Sequence, residues 1–348
     1  MAIQFAAALP SQQTAVLKFL LDVFDADPRL NSFQPQVMEW KYFLPHPAWP
    51  QSRSFLLQKD QEIVGHGGVW PIRFGIGGKT VQAIHLVDWA ASPALLGAGV
   101  HVLRSISQMA AVMITIGGSG DTRKILPKLG YRSGGVFQRF VRVVRPWLQL
   151  RTRTHRDWKT PLKFLRNARD IFAPVPRFPA DWKVQRIGQF GAEIESVLMA
   201  SNSSKEVSSV RTVAGLNYVL ACPAAKFSGF IVTDASCLIG YFILANVGHQ
   251  ARIVDVKTQG SDPGRWRAIC AAAARTAADD PRVAELVAGT SSEMIGNRWE
   301  DLGFRLRRRD PIFYLDLRKL LSPETTLNLN LIDGDVCFMY DPALPYIS

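Results

Sequence analysis

The stretch IHLVDW carries His85 and Asp88, and a short way downstream ASPALLGAG sets Gly97 and Gly99 ahead of an amphipathic segment. An imidazole and a carboxylate are side chains suited to take a proton from a bound group, directly or through water. Glycines before a helix leave backbone N–H groups open at its positive end, and phosphate is the ligand that suits such a place best. The groups reading as a phosphate cradle are Leu96, Gly97, Ala98, Gly99 and Val100. Strand alternation puts His85 and Asp88 on opposite faces unless a bulge intervenes. His66, within VGHGGVW, stands on a neighbouring strand where glycines admit a ligand. Trp40 and Tyr42, within VMEWKYFLP, are candidates for a substrate wall, and Lys41 between them for attracting an acidic group. Each has a plainer alternative: aromatic anchoring for Trp40 and Tyr42, and backbone or basic partners for Asp88.

The elements that must hold these residues follow from periodicity. QQTAVLKFLLDVF has apolar residues at helical spacing, after Pro10 and Ser11. Ser54–Gln58 and Ile63–Pro71 read as strands about the turn KDQE, and Ile72–Ile76 continues through GGKT toward Val81. Ile84–Trp89 is the strand before the glycine loop, Val100–Ala110 its helix and Val112–Ile116 the next strand. Ser119 or Asp121 caps the helix ending near Leu129.

The second half repeats this order. Ile187–Met199 reads as an opening helix, and TDAS separates FSGFIV from CLIGYFILANV. ARIVDV answers IHLVDW with Asp255 in the place of Asp88, and Leu302-Gly303-Phe304 answers Leu129-Gly130-Tyr131. The shared order argues for two copies of one α/β unit. The expected boundaries are 1–145, a basic Pro-containing connector over 146–182, a second unit over 183–320 and an irregular tail over 321–348.

The 348 residues are 47% apolar, enough for two cores. No apolar run approaches membrane-spanning length and no basic region precedes the N-terminal apolar stretch, so a cytoplasmic protein is expected. Four cysteines without a CxxC pair read as buried thiols, and six scattered histidines give no metal spacing, so no metal is expected. The net charge is +12, and thirteen Lys or Arg against three Asp fall between Arg139 and Arg186. That concentration leaves contact with an anionic membrane face open. Sparse aromatics and the lack of a reader motif argue against nucleic acid.

The repeated order resembles the GCN5-related N-acetyltransferase superfamily in tandem. More narrowly, it is similar to acetyltransferase-like proteins of bacterial exopolysaccharide and cell-envelope loci, where WKY followed by proline is a familiar opening. The resemblance implies an α/β (α+β) fold of two consecutive acyl-CoA N-acyltransferase-like domains, each a mixed, mostly antiparallel sheet flanked by helices. It implies acetyl-CoA or another acyl-CoA as co-substrate, and an amine of a small molecule or sugar precursor as acceptor. The family's loop Q/R-x-x-G-x-G/A corresponds to Ala94-Leu95-Leu96-Gly97-Ala98-Gly99, where both glycines fit and the leading basic or amide residue does not. The family's frequent general-acid tyrosine corresponds to Leu126, and to Trp299 in the second copy. There Gln259-Gly260-Ser261-Asp262-Pro263-Gly264 replaces the loop, so a degenerate donor site is expected. Two rivals are an aminoacyl-tRNA-dependent transferase of similar tandem fold and a catalytically silent protein that binds a ligand or partner.

Overall fold

Period-two alternation and helical spacing set up the same series of elements twice. The computed structural model describes residues 3–154, 158, 160–168, 177–198, 206–235 and 237–348. In the first half, β1 (Ile3–Ala7) leads to α1 (Gln13–Phe24), which buries Val16 and Leu20, one turn apart. A short helix, α2 (Pro35–Met38), widens into a π-type turn over Glu39–Phe43. β2 (Ser54–Lys59), β3 (Glu62–Ile76) and β4 (Lys79–Ala91) form an antiparallel meander. α3 (Ala98–Ser107), β5 (Val112–Ile116), α4 (Gly120–Lys128) and β6 (Arg132–Val143) follow. α5 (Pro146–Thr152) and α6 (Thr160–Ala168) belong to the basic stretch, of which Arg156 and Asp170 lie outside the described residues.

The second half runs β7 (Trp182–Ile187), α7 (Glu195–Leu198), β8 (Glu206–Ser208), α8 (Val213–Leu220), β9 (Lys226–Asp234), β10 (Cys237–Val247) and β11 (Gln250–Thr258). α9 (Pro263–Asp279), β12 (Glu285–Thr290), α10 (Glu293–Asp301) and β13 (Arg305–Asp316) complete it. β14 (Thr326–Asn328) pairs in parallel with β8.

Several expectations need adjustment. The two segments Ile63–Pro71 and Ile72–Ile76 are one strand, because Pro71 continues the register opposite Ile84. The helix expected over Ile187–Met199 is a strand to Ile187 and then the short α7, and Met199 lies outside the described residues. β1 is an edge strand too short to show alternation in sequence. Cys222, Cys270 and Cys337 are buried thiols, whereas Cys237, at the start of β10, is exposed.

Twelve described strands make one sheet in the order β1-β2-β3-β4-β5-β13-β6-β12-β11-β10-β9-β7. The halves therefore exchange their last strands. β13 from the second half pairs with β5, and β6 from the first half pairs with β12, while β6 and β13 pair with each other at the centre. Only β4–β5 and β11–β12 are parallel within this sheet, each pair joined by a crossover helix. On one face α3 and α4 cover Ile84, Leu86 and Met113, and α9 and α10 cover the matching residues of the second half. The other face is shared, with Ala83 and Val87 from the first half and Tyr241 and Val254 from the second in one core with Leu327, Leu329 and Leu331 of the tail. No helix among the described residues is long and apolar enough to cross a membrane.

Candidate functional site

β4 and β5 pair only from Ala83–Val112 to His85–Ile114, and their ladder then stops. Beyond that point β4 bulges. Gly68 faces Val87 and His66 faces Ala90, so Gly67 alone opposes Asp88 and Trp89. Asp88 takes the left-handed φ of +46°, an unusual conformation for a residue with a side chain. The bulge breaks the alternation that would turn Asp88 away from His85. Ala83, His85 and Val87 face the shared core, and Asp88 turns toward the π-type turn bearing Lys41 and Tyr42.

Lys41, 2% exposed, donates to Oδ2 of Asp88 at 2.5 Å and to Oδ2 of Asp335 in the tail at 2.6 Å. The Tyr42 hydroxyl donates to the same Asp88 oxygen. Burial alone would discharge Lys41, but the charges of Asp335 and Asp88 outweigh it and hold the ammonium above its ordinary range. Burial likewise raises the Asp88 carboxyl, and the Lys41 charge and the bonds from Lys41 and Tyr42 reverse this, so its pKa is lowered. Both bonds go to Oδ2, and Oδ1 accepts none among the described residues.

His85 Nδ1 lies 2.9 Å from the Asp333 carbonyl. A carbonyl only accepts, so Nδ1 carries the proton and Nε2 is left as the acceptor of a neutral ring. Burial pushes its pKa down. His66 is committed on both sides: Nδ1 donates to the Asp88 carbonyl at 2.8 Å and Nε2 accepts from Ser54 at 3.0 Å. Trp40 is buried and stacks on Tyr218 with 4.8 Å between ring centroids, and Tyr42 is buried as well. These three side chains brace the bulge and the joint between halves, and none presents a face to an open cleft. Arg53 fastens the π-type turn by donating to the carbonyls of Trp40, Lys41 and Leu44.

The second half repeats this pattern with different side chains. Asp255 accepts from Arg211 at 2.9 Å, from Tyr241 at 2.8 Å and from Asn330 at 2.7 Å. Arg211 also grips Asp333 at 2.6 Å. Each half thus has a strand aspartate, a buried cation, a tyrosine and a second carboxylate from the tail segment Asp333-Gly334-Asp335. The contributions of Asp333, Asp335, Arg211 and Tyr241 were not anticipated. The one sequence signal was the alternation of Leu327, Leu329 and Leu331, which marks the tail as a packed segment.

The two glycine-loop regions differ more sharply. Gly97 caps α3 with φ +83° and no side-chain bond, and a Cβ built there meets nothing within 4 Å. Ala98 N–H bonds Leu95, while the N–H groups of Leu96, Gly97, Gly99 and Val100 make no bond among the described residues. Trp89 donates its indole N–H to Gly99 at 2.9 Å, pinning the loop to β4. At the matching place in the second half, Asp262 caps α9 by accepting from Arg265 N–H at 2.6 Å. Ser119 caps α4 as expected, accepting from Thr122 N–H at 3.1 Å, and Asp121 stands exposed in its first turn. Leu126 and Trp299 are core residues. The buried hydroxyls Thr115 Oγ1 and Tyr131 OH have no hydrogen-bond partner among the described residues. Alternation along β5 sets Thr115 on the face of Met113, and Tyr131 packs in that same cluster under α3 and α4.

The sequence matches no family model and no curated protein. Solved structures do match. A GCN5-related N-acetyltransferase from Anabaena variabilis aligns over 90% of this chain and 73% of its own, with TM-score 0.58 and 13% identity. Saccharomyces cerevisiae N-myristoyltransferase with bound myristoyl-CoA and inhibitors aligns over 96% and 84%, with TM-score 0.62 and 13% identity. A tandem GNAT protein from the clavulanic acid biosynthesis pathway aligns over 90% and 98%, with TM-score 0.54 and 11% identity. The chain has the GCN5-related N-acetyltransferase fold in tandem, an α/β architecture of two like units.

Proposed function

We propose that the chain is an N-acyltransferase that takes its acyl group from acyl-CoA, acetyl in the simplest case, and passes it to an amine of a small molecule or sugar precursor. The observation that carries this reading is the start of α3, capped by a glycine and open at four N–H groups, beside strands whose ladder has just parted. The acyl-CoA would supply an activated thioester. The loop Leu96, Gly97, Ala98, Gly99 and Val100 would hold its pyrophosphate, through the open N–H groups of Leu96, Gly97, Gly99 and Val100 aided by the helix dipole. The parted edge of β4 offers backbone N–H groups for the oxyanion. His85 Nε2 and Asp88 Oδ1 are the two acceptors left for the proton of the attacking amine, whose nitrogen gains the acyl carbon as the carbon–sulfur bond breaks. With Leu126 in the family's acid position, solvent protonates the leaving thiolate.

The silent reading draws on one observation. Lys41 and Tyr42 occupy Asp88 so fully that it serves as an anchor if Oδ1 is never reached.

The test is calorimetric titration with acetyl-CoA on the parent and on Leu96→Asp. Leu96 is fully exposed, so the substitution leaves packing untouched while setting a carboxylate beside the cradle. The expected result is saturable binding weakened by about tenfold or more in the variant, the scale of one unfavourable charge near the surface. Equal binding by both proteins, or none by the parent with acetyl-CoA or longer acyl-CoAs, overturns the reading. If binding holds, release of free thiol in the presence of candidate amines identifies the acceptor.

A further inference from the structure

β11 and β12 also part, after Ile253 and Ala288, and a cavity of about 420 Å³ lies beyond. This is within the range of about 300–1,000 Å³ typical of small-molecule sites. Its position mirrors the gap beside β4 and β5, yet its chemistry differs. The helix start at its rim is already satisfied by Asp262, which would also repel a phosphate. Its buried cation, Arg211, is held between Asp255 and Asp333 and has no charge to spare for an anion. Half-buried Lys257 donates to the Leu198 carbonyl at 3.1 Å, and although burial and the nearby Arg211 charge lower its amine to about 8, it keeps most of its charge at neutral pH. The rest of the wall carries the hydroxyls of Ser261 and Ser292, the amides of Asn328 and Asn330, the apolar surfaces of Trp266 and Met294, and the exposed carboxylate of Glu206, which accepts from Asn328 Nδ2 at 2.9 Å and would repel an anionic ligand.

Hydroxyls and amides beside an aromatic and a thioether match a ligand with a rim of hydroxyls and a face of C–H groups. We propose that this cavity binds a neutral sugar ring. The site goes beyond the donor reading and stands whether or not acyl-CoA occupies the first half.

The experiment is saturation-transfer NMR and calorimetry on the full chain with methyl β-glucopyranoside and N-acetylglucosamine as probes. Saturable millimolar binding is expected for at least one of them, weakened by about tenfold or more in Ser261→Trp, which fills the cavity from its rim. Met294→Trp, at a partly exposed helix position, gives the same loss and decides the matter if the first variant fails to fold. Acetyl-CoA is expected not to displace the sugar. No saturable binding of either probe, or binding unchanged in the folded variants, overturns the proposal. Displacement by acetyl-CoA overturns it too, because the cavity would then be a second donor site. The donor titration on Leu96→Asp reads the other half, so the two failures are distinguishable.

Discussion

Lys41 lies between Asp88 and Asp335, and its removal leaves two buried carboxylates without a cation. Lys41→Met is expected to cost about 3–5 kcal/mol, the usual penalty for breaking a buried pair from one side. Urea unfolding measures it, and a loss near zero would mean that water reaches the site. The histidines give a pH prediction. Burial lowers His66 to about 4 and His46 to about 3, and lowers His85 as well. The unfolded chain takes up these protons near pH 6.5, while the folded chain refuses them until far lower pH. Stability is therefore full above about 6.5 and is lost as pH falls toward the folded values, by up to about 1.4 kcal/mol per pH unit for each histidine. Melting temperatures between pH 7 and 4 check the slope, and His66→Gln should flatten it by one histidine's share. The types and strand of His85 and Asp88 were legible in the sequence. Their surroundings were not, because Asp335 is 294 positions from Lys41 and no local pattern links them.

At the scale of elements, the same turn between strand and helix was written twice with different ends. Gly97 leaves α3 open, while Asp262 closes α9 with its own carboxylate. Asp262→Ala should cost about 1 kcal/mol by removing a helix cap, seen as a lower thermal midpoint. It should not make the second loop a strong acetyl-CoA site, because Pro263 has no N–H to offer and the position answering Gly97 would still lack a glycine. A gain of tight binding would show that Asp262 alone separates the two loops. The glycines, the helix after them and the Ser119 cap of α4 could be read from spacing, because capping is a local property. The bulge at Asp88 could not. It depends on how Gly67 of β3 meets β4, and the sequence of β4 alone reads as a plain alternating strand. The tail shows the same limit: the leucine alternation is local, whereas its packing between the two halves is set by residues more than a hundred positions away.

The repeat of elements shows two like units, and the exchange of their last strands makes those units inseparable. β5 has β13 as its outer neighbour and β12 has β6, so neither half completes its own sheet. The shared core adds the tail, whose Asp333 serves Arg211 of the second half while Asp335 serves Lys41 of the first. Two consequences follow for experiment. Heat or urea should unfold the chain in one transition, with near-ultraviolet and far-ultraviolet signals coincident, because opening either half strips strands from the other. Protease cleavage within the basic connector at 146–182 should leave the fragments together on gel filtration, since β6 and β13 hold them after the covalent link is gone. Residues 1–145 expressed alone should not give a folded monomer, because β5 and β6 would both present unpaired edges. Two stable monomeric fragments, or two separated unfolding steps, would mean that the exchanged strands contribute little. The repeat itself was visible in sequence because each copy keeps the same local order. The exchange was invisible because a strand carries the same pattern whichever half it joins, and the choice between neighbours is made only by the length and path of the chain that returns it.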